Sequence, residues 1–326
     1  MSDNSTLPDA CPALRQTRPA AYALKWGIHM KKIYRISLLL SLILAAAGMA
    51  VAAVGRCMGG REQMDELIGS LVKPRFYGSE GGEMVEFNGG YPVLGGDFTK
   101  ELEDVQIHSL NASLTDADFR VLASDDEEAR LESRHIQRLQ CYVEDGCLYI
   151  RARTEADAEA GKGELTLYLP GEILLSDFFL EMGAGRLEVH GVKTHSLFSS
   201  LGAGEISVDG LEADEAEWNL GMGEIQISDS RMQEMYFHVG TGNLYYGGEI
   251  SGNLAGDCSM GDISLALEEH REAYNYRINT DMGTIRVDGM DGKPGMLSLE
   301  QDNGADREID LNCSIGNVEI SFTNEN

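Results

Sequence analysis

Residues 183–208 read GAGRLEVHGVKTHSLFSSLGAGEISV: a Gly-x-Gly, an alternating apolar strand, a short turn, a second apolar strand and another Gly-x-Gly. The unit returns as GMGEIQI, GTGNLYY, SMGDISL, DMGTIRV and SIGNVEI, with its second glycine at Gly185, Gly204, Gly223, Gly242, Gly261, Gly283 and Gly316. The first four steps are 19 residues each (204−185, 223−204, 242−223, 261−242), followed by 22 and 33. A fixed period of this size marks stacked coils, each burying its apolar side only against its neighbours.

Counting from the second glycine, position +2 holds Leu187, Ile206, Ile225, Leu244, Ile263, Ile285 and Val318, and position +4 holds Val189, Val208, Ile227, Tyr246, Leu265, Val287 and Ile320. The positions between them are mostly polar, as the period of two in a half-buried strand requires. A second strand precedes each corner, with inward positions at −7, −5 and −3, such as Phe178, Leu180 and Met182 or Met235, Phe237 and Val239. The glycines belong at the corner, where a tight bend or a positive φ costs least without a Cβ. Expected, then, is an all-β fold: a β-solenoid of stacked two-strand coils with a period of about 19 residues. Cys258 and Cys313 share the −3 column, with Thr280 between them in chain order. Coils stacked in chain order would hold the two sulfurs a whole coil apart, too far for a disulfide.

Ahead of the repeats, Ile36–Gly55 is a run of twenty residues without a charge, long enough to cross a hydrocarbon core of about 30 Å as one transmembrane helix. Lys31, Lys32 and Arg35 flank its N-terminal side, which places the N-terminus in the cytoplasm and the C-terminal domain outside. Ala50-Val51-Ala52 offers a small-x-small cleavage site, so secretion after signal cleavage is the alternative; the length of the run favours the uncleaved anchor. Cys57 follows Arg56 rather than the small residue a lipoprotein site needs. Residues 1–29 lack apolar periodicity and precede Met30-Lys31-Lys32, the usual opening of such a segment, so translation is expected to begin at Met30. The organisation reads as an extension over 1–29, an anchor over 30–61, a juxtamembrane helix and glycine-rich linker over 62–97, and a β ectodomain over 98–326.

The chain carries 26 basic and 54 acidic residues, and 18 and 52 of them fall beyond residue 61. Nucleic acid is a poor partner for so acidic a surface. The acidic excess itself keeps a long β structure soluble and unpaired at its edges. Six cysteines in 326 residues do not suggest a disulfide framework. Cys141 and Cys147 face each other only if the loop between them spans all five intervening residues.

The strand ending in Tyr168-Leu169-Pro170, the hydrophobic strand after it and the repeated Gly-x-Gly strands resemble the bacterial putative-adhesin family, domain of unknown function 4097, over about residues 95–326. The membrane segment is similar to that of members from Gram-positive bacteria. The resemblance implies a β-strand-repeat ectodomain tethered to or exported across a membrane, with no catalytic or cofactor-binding residues to carry over. This chain departs from the pattern in its 33-residue last interval and its N-terminal extension.

Function is written less plainly than fold. Glu188, Glu205 and Glu224 descend the solvent columns, as a carboxylate pair for glycan chemistry would, but acids are too abundant here for such a stack to be distinctive. No HExxH, GxSxG, P-loop or nine-residue calcium repeat is present, and no metal or cofactor is expected. Tyr236 and Tyr245 occupy outward positions in adjacent strands of one coil; exposed tyrosines on a rigid sheet can stack on sugar rings or anchor a protein. The expectation is a non-enzymatic, adhesin-like binding or structural module at the cell envelope, with a cell-wall glycan or a membrane protein as partner. An accessory role in envelope-stress signalling is the alternative, and a glycan-acting β-helix enzyme the third reading.

Overall fold

The computed structural model describes residues 85–102, 106–154, 162–288, 290 and 297–323. The extension 1–29, the span Ile36–Gly55 and the juxtamembrane stretch 62–72 lie outside them. Among the described residues no helix is long and apolar enough to cross a membrane.

Among the described residues sixteen strands form one sheet system. In chain order they are β1 (Phe98–Leu102), β2 (Ser109–Ser124), β3 (Ala129–Arg134), β4 (Arg138–Glu144), β5 (Cys147–Arg153), β6 (Glu164–Pro170), β7 (Leu174–His190), β8 (Lys193–Asp209) and β9 (Glu212–Ile250). They continue as β10 (Leu254–Met260), β11 (Ile263–Leu267), β12 (Tyr274–Met282), β13 (Ile285–Val287), β14 (Ser298–Gln301), β15 (Arg307–Ile315) and β16 (Val318–Phe322), with a single 3₁₀ turn at Arg271–Ala273.

The expected coils are present, and the alternation is the reason. Every +2 and +4 residue of the seven repeats is buried, and removing a Leu or Ile from water at such a position is worth about 1.5–3 kcal/mol. Parallel pairing holds the repeats in register with a 19-residue offset: Leu187 pairs with Ile206, and Ile206 with Ile225. The two strands of a coil run as one bent strand through the corner in β7 and β8, and β9 carries two coils. At the corner Gly223 has φ 142°. A Cβ there would run into the carbonyl oxygen of Gly204 in the coil beside it. The corner therefore needs glycine twice over, for its dihedral and for the close approach of backbone to backbone.

Stacking order departs from chain order at both ends. β2 pairs along one edge with β7 and along the other with β5 and β6, so it lies between two layers that both follow it in sequence. β2 is itself a coil without the Gly-x-Gly; Ala117 occupies the corner opposite Gly185. At the other end β15 and β16 insert between the coil of β10 and β11 and the coil of β12 and β13. Antiparallel strands cover part of each end, β14 on β12 at one end and β4 on β5, β3 on β6 and β1 on β3 at the other, while β13 pairs in parallel with β16. An antiparallel strand ends a parallel stack without leaving the parallel edge open to another chain.

Two expectations about cysteine are thereby corrected or settled. Thr280 does not separate Cys258 from Cys313: both sulfurs lie in adjacent strands, Cys258 pairing directly with Cys313 and Cys313 with Thr280. Cys141 and Cys147 flank a two-residue turn, with Asp145 and Gly146 at φ 50° and 76° as a type I′ hairpin requires. Cys141 pairs with Ile150 and Cys147 with Glu144, so the two do not face each other.

Residues 85–96, read from sequence as linker, lie against β4. Val85 is buried, Leu94 bridges to Leu139, and the buried Gln140 receives the Asn88 N–H at 2.8 Å while its Nε2 donates to the carbonyls of Asn88 at 2.6 Å and Tyr91 at 2.8 Å.

Candidate functional site

The outward residues of the strands that precede the corners make one face of the stack. One register row on this face runs Tyr142, Tyr149, Asn111, Phe179, Phe198, Glu217 across β4, β5, β2, β7, β8 and β9. Tyr236, one period beyond Glu217, continues it toward Ala255 and Asp310. Five of these seven first positions are aromatic. The local cause is plain alternation: Phe178 and Leu180 face the core, so Phe179 between them must face out.

The rings pack on each other. Tyr91 stacks on Tyr142 with centroids 3.8 Å apart and planes within 9°, Tyr142 on Tyr149 at 5.0 Å and 15°, and Phe179 on Phe198 at 5.0 Å and 10°. The three hydrogen bonds of Gln140 fix the segment that carries Tyr91 at the end of the row. Between the two stacks sits Asn111, whose Oδ1 is buried without a hydrogen-bond partner. The next row places the Arg151 guanidinium 5.3 Å from the Tyr149 ring centre, with Nη1 donating to the Asn111 carbonyl at 2.9 Å. Burial lowers the pKa of Arg151 and raises that of the Glu181 carboxyl, which the charge of Arg151 partly offsets. Arg138 lies 4.3 Å over the Phe87 ring. A strongly acidic chain thus gathers arginine and aromatic rings at one end of one face.

Stacked rings within a ladder cover each other's faces and leave their edges outward; the Tyr91 hydroxyl is engaged by Glu144 and the Tyr149 hydroxyl by Cys147. Sugar recognition by stacking needs an open ring face; apolar edges with hydroxyls and a nearby guanidinium match the anchors of protein contacts.

The tyrosines singled out from sequence stand apart. Tyr236 is 38% exposed and Tyr245 is 40% exposed. Tyr236 precedes the corner glycine Gly242 and belongs to the aromatic row; Tyr245 follows that corner, on the other strand of the coil, paired with Ser264. Phe179, Phe198, Tyr142 and Tyr149 were missed. The −6 column, Phe179-Phe198-Glu217-Tyr236, carried the signal for two of them; the hairpin tyrosines needed the pairing of β5 with β2.

The carboxylates once read as a column are not one. Glu205 shares a row with Arg186 and Glu224, whereas Glu188 lies in the row of Arg120 and Ser207. Both are ion-paired, Glu188 with Arg120 at 2.8 Å and Glu205 with Arg186 at 2.7 Å. No group of three or more His, Cys, Asp or Glu placed to hold a metal occurs among the described residues. A shallow groove of about 420 Å³ at the turns between coils is lined by side chains that pair across coils, Lys193 with Glu212 and Arg231 with Glu249 as ion pairs and the His195 ring with the Asp214 carboxylate at 2.6 Å.

Similar solved structures include putative adhesins from Bacteroides fragilis (12% identity, 69% of this chain and 96% of that one, TM-score 0.40), Parabacteroides distasonis (12%, 69% and 97%, 0.33) and Parabacteroides merdae (13%, 69% and 96%, 0.33). Among curated proteins no sequence matches the chain. The family model Toastrack DUF4097 matches residues 155–321, slightly more than half of the 326 residues, and the chain belongs to that family.

Proposed function

We propose that this protein is a non-enzymatic binding module of the bacterial envelope, anchored by Ile36–Gly55 with its β domain outside the membrane, and that the aromatic row is its docking surface. The observation that supports this reading most is the in-register line of half-buried rings, two stacks flanked by Arg151 and Arg138 on an otherwise acidic chain. Ring edges and hydroxyls favour a protein partner in the same envelope over a glycan. A regulatory role in envelope stress is the case in which that partner is a membrane-bound sensor.

The test uses the full-length chain in its own cells. Protease shaving places the domain outside if it is removed from intact cells yet fractionates with membranes. Replacing Tyr149 and Phe198 together by Ala should abolish crosslinking to a membrane protein while the β domain still folds, because each change removes one stacked ring pair, worth about 0.5–1.5 kcal/mol, and leaves the inward columns intact. Crosslinks that persist in the double variant, or binding to isolated wall glycan that this variant loses, would move the site or the ligand class respectively.

A further inference from the structure

We infer that Cys258 and Cys313 form a disulfide that ties the returning C-terminal coil to the coil of β10 and β11. The two residues are direct partners in adjacent parallel strands, where neighbouring chains lie about 4.8 Å apart; disulfides span Cα separations of about 4.4–6.8 Å. Both side chains point into the core, 2% and 1% exposed. Each thiol points at a corner carbonyl of its neighbouring coil, Cys258 Sγ to Gly242 O at 3.6 Å and Cys313 Sγ to Gly261 O at 3.2 Å, and the two thiols are within hydrogen-bonding reach of each other. The other described cysteines, Cys141 and Cys147, lie in the β4–β5 hairpin at the opposite end of the stack.

Formation needs an oxidant of the disulfide class. One cysteine thiolate attacks a sulfur of the oxidant and releases its first thiol, leaving a mixed disulfide. The second cysteine thiolate attacks that cysteine's sulfur and expels the remaining thiol. Two electrons pass to the oxidant, the two cysteine protons end on its two thiols, and one Sγ–Sγ bond is made. Burial pushes the Cys258 thiol up to about 12 and also raises Cys313, so the packed core holds little thiolate at neutral pH. The bond therefore closes as β15 docks beside β10, or during an opening of that coil, and once made is shielded from exchange.

The position of the bond gives it a structural consequence. It joins cysteines 55 positions apart (313−258), and the loop it closes includes the displaced coil of β12 and β13 and the β14 strand. Closing a loop of this length restricts the unfolded chain and resists withdrawal of β15 and β16.

The purified full-length chain in detergent, fully reduced, is incubated with oxidised glutathione in sub-denaturing urea, quenched with acid, blocked with N-ethylmaleimide and digested without reduction. The expected product is a peptide pair linking Cys258 to Cys313 as the dominant crosslink, together with an unfolding midpoint above that of the reduced protein. Cys313→Ala should stop at a glutathione adduct on Cys258 and lose the rise in midpoint; Cys258→Ala should stop on Cys313. Stable glutathione adducts on both cysteines of the unaltered chain, recovery of both as maleimide adducts, a dominant link to another cysteine, or a linked product with no rise in midpoint would each overturn the inference.

Discussion

Between Leu174 and Ile250 the coils stack in the order in which the chain makes them, each 19 residues after the last, whereas from Leu254 onward the final coil returns to sit between two earlier ones. Both regions use the same corner glycines and the same inward alternation. What differs is the connection. Two residues link β7 to β8 and β8 to β9, which leaves only the adjacent position within reach. Six residues join β11 to β12, a length that spans about 20 Å when extended, against about 10 Å for a step over one coil. A repeat determines which face each residue turns inward; the length of its linker determines how far away the next copy can dock.

The strongest way to break this comparison is to remove the returning coil. Truncation after Met290 should strip hydrogen-exchange protection from β10 to β13 while β7 and β8 stay protected, at a cost exceeding about 5 kcal/mol, the size of a small domain's whole stability. If β12 and β13 keep their protection, they have docked directly on β10 and β11, and chain order is a competing packing that the last coil normally prevents.

A smaller effect separates the regions at a single residue. Gly223→Ala places a Cβ against the Gly204 carbonyl in the middle of the stack at a left-handed φ, and should cost about 4 kcal/mol or more in urea unfolding. Gly283→Ala meets the Gly316 carbonyl, but among the described residues β13 pairs only with β16, so this end coil is held from one side there. The loss there should be roughly half as large. Equal losses would show that the end coil is as rigid as the centre.

The smallest effect lies at the joint between the two regions. The Tyr274 hydroxyl, from β12, donates to the carbonyl of Ile250 at the end of β9 at 2.6 Å. Burial raises the pKa of that hydroxyl from 10.0 to about 12. The folded state therefore keeps its proton where the unfolded chain begins to lose it: the contribution is complete below pH 10 and is lost as pH rises from 10 to 12. Denaturation at pH 9 and pH 11.5 should show a loss on the order of 2 kcal/mol, a part of which Tyr274→Phe removes. A pH slope unchanged in that variant would place the titrating group elsewhere.

Much of this was legible in the chain. The seven corner glycines, the inward columns and the all-β architecture follow from a period of 19 and an alternation of two, because only local geometry is needed to read them. β2 escaped, since Thr115-Asp116-Ala117 turns its corner without glycine. The second turn of each coil shows the same latitude, with Asp229 at φ 47° where Gly191 and Gly210 stand in neighbouring coils. The candidate site was half visible: Tyr236 was found by its outward position, but a row of rings drawn from β4, β5, β7 and β8 exists only once non-sequential strands pair.

Sequence alone determined which residues face the core, where the chain bends and that the product is a stack of β coils, for these depend on contacts within one period. Tertiary structure alone decided the order of the end coils, and with it the meeting of Cys258 with Cys313 and of Tyr149 with the Phe179 row. Strand pairing is satisfied by any coil of matching register, so the choice among equivalent neighbours rests on linker reach and on which edge remains to be covered.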